Sequence, residues 1–187
     1  MKIRAIISLL ISTLLTGCVA AVVAGAAAGL VVYDRRSLPM IESDARIFHL
    51  IHTRIVTDPA FSDSRILVSS FNQVVLLVGQ APTASLRVMA EKIARSTPNV
   101  RRVYDEVTVN YPIPLSQRTK DTWITSQVRS LMLTKKGLES GSIRVVTEDA
   151  VVYLMGIATH EQADLAVSVA RQVDGVRKVV KIFQYIV

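Results

Sequence analysis

The chain has a single cysteine, Cys18. No internal disulfide can form, so the fold must stand on its apolar core alone. Histidine is nearly as scarce: His49, His52 and His160 are the full set. His49 and His52 sit three apart on a helical pattern. Two imidazoles, with no cysteine or carboxylate set to complete them, leave a metal site unfinished and read as solvated surface groups. No nucleophile elbow or phosphate-binding loop occurs, and Gly25 and Gly29 fall inside an apolar N-terminal run. Ser69-Ser70 reads as a strand end and Ser140-Gly141-Ser142 as a loop. Closely spaced carboxylates suited to acid/base work are missing too. These absences argue against an enzyme, and no cofactor or metal is expected.

What is present starts at the N-terminus. Lys2 and Arg4 precede an apolar core, Ala5 to Leu15, and the small residues Thr16 and Gly17 lead into Cys18. This order is that of a secretory signal. Leu15-Thr16-Gly17-Cys18 also resembles the bacterial lipobox. That resemblance implies removal of residues 1–17 and fatty acylation (palmitate-type chains) of Cys18 as the new first residue, with 18–43 a flexible tether. A membrane anchor left in place is the competing reading, because Ala5 to Tyr33 carries no charge and could cross a core of about 30 Å. The half from Val19 to Val32 is mainly Ala, Gly and Val, less hydrophobic than the Leu/Ile-rich half before it, and this favours the lipoprotein. Val19, where an aspartate is absent, implies by analogy with lipoprotein sorting the periplasmic face of the outer membrane. Loss of Lys2 and Arg4 takes the formal net charge from +7 to +5. Such basicity calls for acidic partners or an anionic surface. Nucleic acid is excluded by the compartment.

The remainder is duplicated. "ILVSSFNQVVLLVGQA" (66–81) over "IRVVTEDAVVYLMGIA" (143–158) gives seven identities in sixteen positions at an offset of 77. "IARSTPNVRRV" (93–103) over "VARQVDGVRKV" (169–179) gives five in eleven at an offset of 76. Each copy opens with an amphipathic helix, Asp44 to Val56 or Asp121 to Leu133, with Ile47, Ile51 and Ile55, or Ile124, Val128 and Met132, on one face. Two β-runs follow, joined at Phe71-Asn72-Gln73 or Glu148-Asp149-Ala150. Val74–Val78 and Val151–Met155 are apolar throughout, which predicts a buried strand. A second helix begins near Thr83 or His160, and a last strand covers 100–109 or 176–186. The order αββαβ, twice, predicts an α+β fold: three-stranded mixed sheets, each with two helices on one face and a parallel pair formed by a right-handed crossover. Domains at 44–110 and 121–187 would be joined by an extended linker, 111–120, holding Pro112 and Pro114.

This unit, with "VLLVG" or "VYLMG" closing its second strand and "NVRRV" or "GVRKV" opening its third, resembles the BON domain. Two copies behind a lipobox resemble the DolP-like family of dual-BON outer-membrane lipoproteins. Copy one has Asn99 where copy two has Gly175, and asparagine tolerates the left-handed backbone well. The resemblance implies a non-enzymatic envelope protein that supports membrane integrity, at the division site among other places. It also implies that the second copy binds anionic phospholipid through its first helix.

Trp123, the only tryptophan, is the candidate contact. One residue before the core position Ile124, it is turned about 100° off the buried face. It reads either as a rim residue of the core or as an indole dipping into a lipid interface. Lys120, Arg129, Leu133, Lys135 and Lys136 are its candidate companions, each exposed cation being worth roughly 1 kcal/mol beside an anionic membrane. The clusters at 100–103 and 176–179 read more simply as strands with apolar residues inward and cations outward. The rival function is an adaptor in which Trp123 anchors a partner protein, such as one of the outer-membrane assembly machinery.

Overall fold

A computed structural model describes residues 34–187; Cys18 and the expected signal peptide lie outside them. Module one runs α1 (Leu38–Thr57), β1 (Arg65–Phe71), β2 (Val74–Ala81), α2 (Ala84–Arg95) and β3 (Arg102–Val109). Module two repeats it as α3 (Leu115–Thr134), β4 (Ile143–Glu148), β5 (Val151–Ala158), α4 (His160–Arg171) and β6 (Lys178–Tyr185). Each sheet has its second strand in the centre, antiparallel to the first and parallel to the third. The expected α+β class and mixed three-stranded sheets are therefore what the chain builds.

Local chemistry explains most boundaries. Thr83 and Thr159 cap α2 and α4, their hydroxyls accepting from Leu86 N (3.3 Å) and Gln162 N (3.2 Å). Asn72-Gln73 and Asp149-Ala150 all have positive φ, between 48° and 63°, as a tight two-residue hairpin requires. Asn99 (φ 66°) and Gly175 (φ 84°) take the same left-handed step after the second helix. A Cβ on Gly79 would lie 1.9 Å from Arg65 O, and one on Gly156 2.2 Å from Ser142 O. Both glycines are thus forced by close backbone approach.

Two boundaries differ from expectation. Helix α1 starts at Leu38, six residues before Asp44, with Pro39 in its first turn. Helix α3 starts at Leu115, six before Asp121, and Pro114 is its N-cap. The segment expected to be extended up to Lys120 is therefore helical from Leu115. Proline at a helix start gives up only an N–H that would have no helical partner.

Strand alternation assigns two faces to each sheet. Val75, Leu77, Val103 and Val107 face α1 and α2, where they join Ile47, Ile51, Ile55, Ala90 and Ala94. Val152 and Leu154 do the same against Ile124, Val128, Met132, Ala166 and Ala170. The other face of each sheet is apolar as well. Phe71, Val74, Leu76 and Val78 pack on Tyr153, Met155 and Ile182 in a third core. Residues 34–187 thus form one compact unit of four layers: helices, sheet, sheet, helices.

Candidate functional site

Helix α3 covers module two from outside. Asp121, Ile124, Val128 and Met132 are its buried positions. That stripe leaves Trp123 pointing away from the core, 50% exposed. Lys120 and Gln127 lie three residues before and four after it, on the same side of the helix. Leu133 is also 50% exposed; ten residues on, it lies about 15 Å along the axis and about 80° around it. Lys135 and Lys136 follow the last turn, both exposed. Arg129 is placed differently from these. Its Nη2 donates to Val145 O of β4 at 3.2 Å, which holds it against the sheet edge and away from the indole.

Four of the six exposed hydroxyls of α3 bond back to the helix's own carbonyls. Thr119, Thr122 and Ser126 donate to the carbonyls of Leu115 (3.1 Å), Arg118 (2.9 Å) and Thr122 (3.0 Å), and Thr134 to that of Leu131 (3.1 Å). A back-bonded hydroxyl has already placed its proton, so moving it out of water costs less than composition suggests. Asp121 is the sole acidic residue of α3 and it is buried. The exposed face is thus Trp, Leu, Gln, cations and Ser/Thr, most of the hydroxyls being back-bonded. α1, the matching helix of module one, differs: Arg46 stands where Trp123 does and pairs with exposed Glu42 at 3.3 Å.

Asp121 fixes how α3 sits. Its carboxylate accepts from Asp149 N (2.7 Å), Ala150 N (2.9 Å) and Gln117 Nε2 (3.0 Å). Asp44 does the same for Asn72 N (2.7 Å) and Gln73 N (2.8 Å), and adds Ser70 Oγ (2.9 Å) and Arg36 Nη1 (2.8 Å). Each first helix is therefore tied to its own hairpin by one buried carboxylate. In the sequence these aspartates mark only helix starts; their recurrence at the 77 offset is the signal of a shared role.

The chain entering the fold is pinned to module two. Arg35 makes a two-point ion pair with Glu139 (2.7 and 2.9 Å), and its N–H donates to Ser142 Oγ at 3.0 Å. Arg36 lies over the Phe71 ring at 3.9 Å. Glu139 is three residues past Lys136, so the root of the N-terminal segment and the basic end of α3 share one corner.

Two of the three histidines make ring contacts, His52 with Phe48 (5.2 Å) and His160 with Tyr185 (4.0 Å). Among the described residues no three His, Cys, Asp or Glu side chains are grouped to hold a metal ion, and no helix is long and apolar enough to cross a membrane.

The fold and this surface define a tandem αββαβ protein whose two modules share one inter-sheet core. The chain belongs to the BON-domain family, whose signature covers residues 43–111 and 120–186. It is similar to the outer membrane lipoprotein DolP of Haemophilus influenzae, with 34% identity over 174 residues, 92% of this chain and 90% of that one. It also resembles the 21 kDa hemolysin of Actinobacillus pleuropneumoniae (37% over 124 residues, 66% and 64% of the two chains). Osmotically-inducible protein Y of Escherichia coli is 29% identical over 139 residues, 73% and 69% of the respective lengths.

Proposed function

We propose that this chain is a lipid-anchored envelope protein whose second BON module lies on anionic phospholipid through α3. The observation that carries the reading is an exposed Trp123 on a helix with no exposed acid and with four of its six exposed hydroxyls bonded back to its own carbonyls. Similarity over nearly the full chain to a protein named an outer membrane lipoprotein supports the compartment. Acylated Cys18 is the anchor in this reading, and the periplasmic face of the outer membrane is the location. The anchor raises the local concentration of a weak surface site until it stays occupied. Concentrated in this way, the protein supports membrane integrity, including at the division site.

Flotation of residues 34–187 with vesicles tests it, since all three cores are complete within that stretch. Binding is expected to vesicles containing phosphatidylglycerol and not to pure phosphatidylcholine. Trp123→Glu should reduce it by roughly tenfold or more, because it removes the indole and adds a charge repelled by about 1 kcal/mol. A folded fragment that floats with no lipid mixture would instead support the adaptor, with Trp123 seated in a partner protein.

A further inference from the structure

The arginines of module one's third-strand entry have no part in the α3 surface, and the duplication supplies an internal comparison for them. In module two, Arg177 Nη2 donates to the Asp149 carboxylate (2.8 Å) and to its carbonyl (3.0 Å). Arg101 is its counterpart at the 76 offset, and the backbone is used alike: Arg101 N donates to Gln73 O (2.9 Å), Arg177 N to Ala150 O (2.8 Å). The side chains then diverge. The counterpart of Asp149 is Asn72, whose Nδ2 crosses the module junction to Gln184 Oε1 (2.7 Å). The carboxylate that neutralises Arg177 is therefore replaced, beside Arg101, by a neutral amide already in use.

Arg102 adds a second exposed cation. Its guanidinium sits 6.0 Å from the Tyr104 ring centre and donates to the phenol oxygen at 3.2 Å. That oxygen is occupied as an acceptor, so its own proton is directed to an acceptor elsewhere. These groups line a notch of about 290 Å³ where the inter-sheet layer opens. Arg101, Arg102 and Tyr104 form one wall; Ile182, Phe183 and Gln184 form the other. Its lining contains no carboxylate.

We propose that this notch binds a phosphate-bearing group. Two guanidinium forks and a phenol proton match an anion with several acceptor oxygens, which arginine holds in pairs. The apolar Ile182 and Phe183 side screen the contact from water. The site is independent of the α3 reading: it uses the other module's third strand and the junction, not Trp123.

Amide-resolved NMR of residues 34–187 titrated with glycerol 1-phosphate tests it, with chloride and acetate at matched ionic strength as controls. Saturable shifts are expected at Arg101, Arg102, Tyr104 and Gln184. Asn72→Asp installs the carboxylate of module two without removing an arginine, and the turn accepts aspartate, as Asp149 shows. It should weaken binding by roughly tenfold or more, and Arg101→Gln should do likewise. Bicelles containing phosphatidylglycerol identify the source: shifts that compete with glycerol phosphate point to a lipid headgroup, and no response to bicelles points to a soluble phosphate. Shifts that do not saturate, that chloride or acetate reproduces, or that survive Asn72→Asp unchanged would overturn the proposal.

Discussion

Ala150 shows how single residues hold this fold in place. It sits at φ 59° in the module-two hairpin, a region that costs a non-glycine residue about 1–2 kcal/mol. The Asp121 carboxylate on its N–H keeps it there. Ala150→Gly should therefore raise stability by about 1 kcal/mol, less the entropy that glycine adds to the unfolded chain, read as a higher urea midpoint with unchanged slope. Glu148, 4% exposed, lies one position before that turn and faces the module junction. It accepts from Gln80 Nε2 at 3.0 Å and pairs with Arg65 at 3.3 Å. Burial pushes its carboxyl up, with the Gln80 hydrogen bond and the Arg65 charge opposing it. A carboxyl raised on folding stabilises while protonated, and that contribution is lost as pH rises through the raised value. Relative to wild type, Glu148→Gln should gain stability as pH climbs above the ordinary 4.5. Parallel urea titrations across pH would show the two curves diverging upward; curves that stay parallel would refute this. None of this was visible in the sequence, where Glu148 is one more polar residue beside a turn.

At the scale of elements, helix faces were legible and helix ends were not. The apolar spacing at Ile124, Val128 and Met132 marks where α3 touches the sheet. The turns from Leu115 to Lys120 precede that contact, and Leu115, Ser116, Thr119 and Lys120 are exposed, so no buried stripe announces them. Pro112 and Pro114 read as linker, whereas Pro114 caps the helix. The same gap hid the start of α1. Of the residues expected around Trp123, Lys120 shares its side of the helix, Lys135 and Lys136 lie past the end, and Arg129 is tied to β4. Side-chain hydrogen bonds to a neighbouring strand are not written in helical periodicity. Lys135→Ala combined with Lys136→Ala should weaken vesicle binding by about 2 kcal/mol, near thirtyfold, for anionic vesicles only and less so at high salt. Arg129→Ala should lower binding less. Losses of equal size at low and high salt would place the effect elsewhere.

The whole molecule depends on the third core. The all-apolar strands Val74–Val78 and Val151–Met155 announced burial on both faces; the helices account for one face, and the other copy accounts for the second. Repetition told how many modules there are, while alternation within β2 and β5 fixed which residues join them. Tyr153 belongs to this layer, and burial, with smaller contributions from Glu106 and Glu148, pushes its phenol up to about 12. Modules joined in this way should unfold together. In urea, Trp123 emission, a probe of module two, should coincide with far-ultraviolet dichroism, a probe of both; Met155→Asp, which puts a charge between the sheets, should separate them. Arg35 on Glu139 holds the first described residues of this body beside the basic end of α3.

Because Trp123 is the only tryptophan, its emission tests membrane contact directly. On adding vesicles rich in phosphatidylglycerol to residues 34–187, the emission should shift to shorter wavelength and become protected from aqueous quenchers, with neither change on phosphatidylcholine. Emission and quenching that stay the same while the protein floats with the anionic vesicles would rule out membrane contact through Trp123.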